Sequence, residues 1–224
     1  MNAQLNPMQK IKESWAAEDA LKHGLLTDAE QAGTWTTGIE SDKRGRGTAI
    51  NVDVIGWDET RGLAVVQVRE CTFRPGWHNR VRKDYYLLGR VESGAVFAHA
   101  IESPLTCKKA RESRSYCIDH VLSKIWDCTI ADLGDIERQG DIALIPVCRI
   151  PEKASPIVGP ITLRDSHVLT GDIWLHDDVY YTRRGATLKH LKGEHASIKA
   201  KAGYYRVQPG ARASTWGFSA PTAD

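Results

Sequence analysis

The sequence predicts an α+β, mainly β protein. It reads as an antiparallel meander packed by one amphipathic helix, followed by a small C-terminal β-barrel or jelly-roll-like module. Three observations carry that expectation. Residues 48–101 contain four short runs, TAINVDVIGW, LAVVQVRECTF, DYYLLGRV and GAVFAHAI. They are rich in β-branched and aromatic side chains, and turn chemistry (WDETRG, RPGWHNRVRK, ESG) separates them. Next, SRSYCIDHVLSKIWD places Ile118, Val121, Leu122, Ile125 and Trp126 on one apolar stripe, suited to covering a sheet face. From residue 141 seven more runs follow, DIALIPV, PITLR, HVLTGDIWL, DVYYTR, ATLKHL, ASIKAKA and YYRVQ, spaced by Gly, Asp and Pro.

The remaining elements fall around these. NPMQKIKESWAAEDALKHG reads as a helix capped by Asn6, with Pro7 in its first turn and Gly24 at its end. Its stripe is Met8, Ile11 and Trp15, a surface for a protein partner or for self-association. TDAE at 27–30 is a capping-box pattern that starts a second short helix. SDKRGRG at 41–47 reads as a basic connector, and TIADLGDIERQG as a helical turn ending at Gly140. The expected organisation is a helical arm over 1–40, the meander and its helix over 48–137, the barrel module over 138–208 and a loose tail over 209–224.

Bulk properties narrow the function classes. A chain of 224 residues can bury a real core, and 26% charged with 42% hydrophobic residues is ordinary globular composition. The formal net charge of +2 demands no polyanion globally, so a nucleic-acid partner has to be read from local clustering. The opening MNAQLNPMQKIKESW lacks the apolar core of a signal peptide, and no stretch reaches the ~18 apolar residues of a membrane helix. The five cysteines form no C-x-x-C. Reduced thiols in a cytoplasmic protein with no membrane partner are therefore expected. G-x-S-x-G, P-loop, G-x-G-x-x-G and H-E-x-x-H are all absent, which leaves the corresponding hydrolase, NTPase, dinucleotide-binding and zincin classes without a motif.

One constellation is basic and aromatic. FRPGWHNRVRKDYYLLGR at 73–90 carries Arg74, Arg80, Arg82, Lys83 and Arg90 among Trp77, Tyr85 and Tyr86. Lys43, Arg44 and Arg46 in the connector add to it, as do Lys108, Lys109, Arg111 and Arg114. Cations meet phosphates and aromatic faces stack unpaired bases, so this set predicts a nucleic-acid-binding hairpin. Arg80, Arg82 and Lys83 would hold phosphates, while Trp77 and one tyrosine stack. Tyr85 and Tyr86 are consecutive, so at most one points inward in a regular strand, leaving the other for a surface.

A second constellation is histidine-rich. RDSHVLTGDIWLHDDVYY and LKHLKGEHASI hold His167, His176, His190 and His195 beside Asp165, Asp172, Asp177, Asp178 and Glu194. Imidazole and carboxylate suit a divalent transition metal. Asp172, His190 and His195 are the expected ligands if their turns meet, with His167 or Glu194 as acid–base partner. Asp177 and Asp178 read as turn residues. Cys117 and His120, three apart on a helix, are close enough for a thiol–imidazole dyad.

RQGDIALIPV (138–147), LTGDIW (169–174), LKHLKGEHASI (188–198) and AGYYRV (202–207) follow one another in order. This third of the chain resembles a loosely defined set of uncharacterised bacterial and phage proteins. Their pattern is R-Q-G-D-[IV]-x-L-x-P-V, T-G-H-x-H, L-x-H-x-E-H-x-P-I and G-x-Y-R-V. Asp172 and Trp174 stand where that pattern has two histidines. The resemblance implies a bacterial or phage-type accessory protein and no defined activity. The favoured expectation is a nucleic-acid-binding module. The alternatives are a metal-dependent enzyme, with hydrolase as one option, and a protein–protein adaptor.

Overall fold

In a computed structural model, residues 22–35, 38–76, 79–90, 94, 96–193 and 196–210 are described. The helix expected on Met8, Ile11 and Trp15 lies outside them, as does the tail beyond residue 210. The chain divides into two compact units, one reaching to Val121 and the other running from Leu122 to Arg212.

The first unit is built on five antiparallel strands in sequential order: β1 (Gly38–Ser41), β2 (Gly47–Asp58), β3 (Leu63–Phe73), β4 (Arg80–Arg90) and β5 (Val96–Ile101). Period-two alternation sorts their side chains onto two faces. One face carries Val52, Val54, Ala64, Val66, Val68, Tyr86, Leu88 and Ala98, packed with Leu25, Ala29 and Trp35. Leu25 and Ala29 belong to helix α1, residues 22–31. Gly24, expected to stop a helix, lies inside this one, and no second helix starts at Thr27. Burial of Leu25 and Ala29 outweighs the roughly 1 kcal/mol that a mid-helix glycine costs. The helix closes after residue 31, where Gly33 N–H donates to Glu30 and Thr34 N–H to Ala29, the paired bonds of a Schellman ending.

The opposite sheet face meets α3 (Arg114–Ile125), which follows the short α2 (Lys108–Glu112). The register slips between Val54 and Gly56. A Cβ on Gly56 would lie 3.1 Å from both Cβ and Sγ of Cys117, so the helix sits directly on the bulge. Of the expected helical stripe, Ile118, Val121, Ile125 and Trp126 are buried.

In the second unit a 3₁₀ turn (Ile130–Gly134) precedes β6 (Glu137–Gln139), so only the first half of the expected helical turn before Gly140 is helical. The other strands are β7 (Ile142–Val147), β8 (Ser155–Ile157), β9 (Ile161–Leu163), β10 (His167–Thr170), β11 (Ile173–His176), β12 (Val179–Arg183), β13 (Thr187–His190), β14 (Ile198–Lys199) and β15 (Tyr204–Pro209). They form two antiparallel sheets, β14-β13-β10-β9 and β6-β7-β15-β12-β11-β8. Among the described residues neither sheet closes into a barrel. Both contribute to one core, with Leu163, Leu169 and Leu188 from the first and Ile142, Leu144, Ile173, Tyr205 and Val207 from the second.

HVLTGDIWL reads as one strand but is two. At Gly171 (φ +113°) the chain leaves β10 in one sheet and enters β11 in the other. A Cβ there would lie 2.9 Å from Ala186 Cα, so both conformation and space require glycine. Asp177 (φ 47°) and Asp178 (φ 60°) form the two-residue turn between β11 and β12. Their sequence assignment as turn residues agrees with this.

Candidate nucleic-acid interface

The basic segments 41–47 and 73–83 meet at one end of the five-stranded sheet. Gly47 pairs with Phe73, which sets the β1–β2 turn beside the β3–β4 hairpin tip. A Cβ on Gly45 would be 3.4 Å from Pro75 Cγ, so the two turns touch. SDKRGRG is a hydrogen-bonded turn here. Asp42 Oδ1 accepts from the backbone N–H of Arg44 (2.8 Å) and of Arg46 (2.9 Å). The only carboxylate in that turn is thereby occupied with backbone. Lys43, Arg44, Arg46, Arg74, Arg80 and Lys83 are exposed, and none forms an ion pair with a described residue.

The other expected contacts are placed differently. Arg82 Nε lies 3.0 Å from Asp84 Oδ2. Arg90 is at the far end of β4, where its guanidinium bonds Asp28 and Gly94 O (3.0 Å) and so ties α1 to the sheet. The Tyr85 hydroxyl accepts from Gln67 Nε2 at 3.2 Å, on the face opposite Tyr86. Tyr86 packs against Trp35 on the other face, with ring centroids 6.2 Å apart. Burial, with Asp84 nearby, raises its phenol above the usual value. Both tyrosines are half-buried, which strand alternation alone does not reveal. Trp77 lies outside the described residues. The third basic segment is elsewhere: Arg114 O sits against Gly56, nine residues along β2 from Gly47, or about 30 Å.

The histidine-rich stretch assembles differently from expectation. His167 and His190 are direct partners in the β10–β13 ladder. Both are buried, and their rings meet edge-to-face with centroids 4.8 Å apart. Ser166 Oγ is 2.9 Å from His167 Nδ1, and Asp141 Oδ1 is 3.7 Å from it. Asp141 also accepts from Arg164 Nη1 at 2.5 Å. Asp172 follows Thr170, the other end of the same ladder, so it is separated from His190 by more than three residues of strand, about 10 Å. Its carboxylate bonds Arg183 at 2.6–2.7 Å, and the Arg183 guanidinium lies 5.7 Å from the centre of the Trp174 ring. The two positions that depart from the T-G-H-x-H pattern are thus joined through one arginine. His195 and Glu194 lie outside the described residues. Among the described residues no group of three or more His, Cys, Asp or Glu side chains is arranged to hold a metal.

The setting of Cys117 disfavours a reactive thiol in a pair with His120. Cys117 is fully buried against Gly56, and burial, with Cys107 nearby, pushes its thiol up to about 11. His120 stacks on Tyr116 with ring centroids 6.4 Å apart. Exposed Cys148 is therefore expected to be alkylated by iodoacetamide at pH 8 while Cys117 in the folded protein is spared, as read by peptide mass mapping. Because folding raises the Cys117 pKa, its contribution is complete below the ordinary thiol value near 9. Stability is lost as pH climbs from there towards 11.

No helix among the described residues is long and apolar enough to cross a membrane. Comparisons with family models, curated proteins and solved structures find no match to this chain. What defines its class is its own geometry: a mainly β, α+β protein with a cationic end to one sheet.

Proposed function

We propose that the protein binds nucleic acid through the basic end of its five-stranded sheet. One observation carries this reading: two touching turns and the adjoining strand ends bring together six exposed cations, Lys43, Arg44, Arg46, Arg74, Arg80 and Lys83. The carboxylate nearest in sequence, Asp42, is held by backbone N–H groups. Such clustering in a chain of net charge +2 is local electrostatic design rather than bulk basicity. Phosphates are the groups these cations would meet, and affinity should fall steeply with salt as condensed counterions are released. A labelled oligonucleotide titrated with the full-length chain at low and then rising salt is the test. Retention at low salt with steep loss supports the proposal, and no retention at low salt overturns it.

The metal-dependent alternative draws no support from the positions of its ligands, since Asp172 serves Arg183 and lies away from His190. The adaptor alternative rests on Met8, Ile11 and Trp15, which lie outside the described residues.

A further inference from the structure

The two faces of the sheet differ at its basic end, and the difference follows from register. Reading across the ladders, one face carries Glu40, Thr48, Thr72 and Arg80 in one row and Gly38, Ile50, Glu70 and Arg82 in the next. Asp84 is on this face too, so it mixes carboxylates with arginines. The other face carries the row Ile39, Ala49, Cys71, Val81, and beside it Asn51, Arg69, Lys83. Ile39 is 76% exposed and Val81 56%, so this row is open to solvent. Phe73 belongs to the same face, its ring lying across Gly47 with a Cβ position only 2.6 Å away. The first carboxylate met on this face is Asp53, and Arg69 pairs with it at 2.8 Å.

We propose that this open face takes an unpaired nucleic-acid strand, with bases against the Ile39–Ala49–Cys71–Val81 row and Phe73. Lys83, Asn51 and the cations of the two turns hold the sugar–phosphate backbone. The inference rests on the nucleic-acid reading above and adds to it the substrate class, single-stranded rather than duplex. Charge complementarity selects the occupant: an apolar row bordered by cations and stripped of free carboxylates matches a polyanion that also offers apolar faces. Phe73, half-buried beside Gly47, supplies an aromatic ring at this row for stacking. Neighbouring rows on one face are about 7 Å apart and the four strands span about 14 Å, a platform on which other four-stranded sheets stack two or three bases. A duplex keeps its bases stacked internally and cannot use the apolar row.

The test compares Val81→Glu with Thr72→Glu, which add the same charge in adjacent cross-strand rows on opposite faces. Phe73→Leu removes the aromatic surface and keeps apolar bulk, and Val81→Ser guards against a folding defect, with thermal melts alongside. Probes are a labelled mixed-sequence 12-mer and its duplex. The expected result is that the wild type prefers the single strand. Val81→Glu and Phe73→Leu should each weaken single-strand binding by about tenfold, while Thr72→Glu changes it less than threefold and duplex binding moves little. Equal losses for Val81→Glu and Thr72→Glu, or equal wild-type affinity for both probes, overturn the face assignment while leaving the nucleic-acid reading standing. Failure of the wild type to bind either probe removes both. A wild-type dimer that Val81→Glu converts to monomer, with oligonucleotide binding intact, overturns the inference in favour of a second copy on this face.

Discussion

Replacing Arg44, Arg46, Arg74 and Arg80 together by glutamate is expected to abolish oligonucleotide binding, a loss of at least about a thousandfold at low salt, with no change in the melting temperature beyond a degree or two. Four of the six unpaired cations become anions, so every phosphate contact they make turns repulsive. The fold should tolerate this. All four side chains are exposed, and the turn that holds Arg44 and Arg46 is bonded through their backbone groups to Asp42. Surface changes of this kind usually move stability within about 0.5 kcal/mol each. Relieving the mutual repulsion of neighbouring cations offsets part of that. The same reversal applied to Arg90 should act oppositely. Its ion pair with Asp28 joins α1 to the sheet, so binding persists while stability drops. Binding by the fourfold variant at wild-type affinity would separate nucleic-acid contact from this end of the sheet.

The largest stability effect is expected in the second unit. Leu169→Ala should cost about 2–5 kcal/mol, the range for a buried leucine whose cavity does not collapse. Leu169 is fully buried in β10 and faces the core shared by both sheets. Ile161 and Leu188 flank it in its own sheet through the β9 and β13 ladders. Collapse is resisted because Gly171, two residues on, pins the corner between the sheets against Ala186. For a unit of this size each kcal/mol corresponds to roughly 4–8 °C in melting temperature. A fall of at least about eight degrees is therefore expected by calorimetry. Val158→Ala, at a fully exposed position, serves as the control and should melt like the wild type. A loss below about 1 kcal/mol at Leu169 would mean that the two sheets do not share a tightly packed core.

Much of the fold is legible in the sequence because long runs carry their own periodicity. β2, β3, β4, β5 and α3 fall within a few residues of TAINVDVIGW, LAVVQVRECTF, DYYLLGRV, GAVFAHAI and SRSYCIDHVLSKIWD. Elements recruited by tertiary pairing are not legible. Gly38–Ser41 has little intrinsic strand character and becomes β1 only by pairing with β2. Ser155–Ile157 contains a proline and forms an edge strand beside β11. Gly24 fails as a helix stop because burial on the sheet prevails over local propensity.

The site divides the same way. Clustered Lys and Arg are visible as composition, but the contact between residues 42–46 and 74–75 depends on Gly47 meeting Phe73. No local signal encodes that register. Tyr85 and Tyr86 alternate as expected, yet each is half-buried beside a residue that alternation does not specify, Gln67 for Tyr85 and Trp35 for Tyr86. His167 and His190 are placed opposite each other by ladder register, and the same register carries Asp172 away. The open row of Ile39, Ala49, Cys71 and Val81 comes from four separate segments. Alternation reveals it only once the four strands are aligned.

The most direct measurement is the slope of log affinity against log salt for a labelled single strand. Six phosphate contacts at about 0.7 counterions each predict a slope near −4, and Arg44→Ala should make it shallower by about 0.7. Between 50 and 200 mM salt that slope corresponds to a loss of roughly two orders of magnitude or more. A slope near zero, or one that Arg44→Ala leaves unchanged, would contradict nucleic-acid binding by the basic end of the sheet.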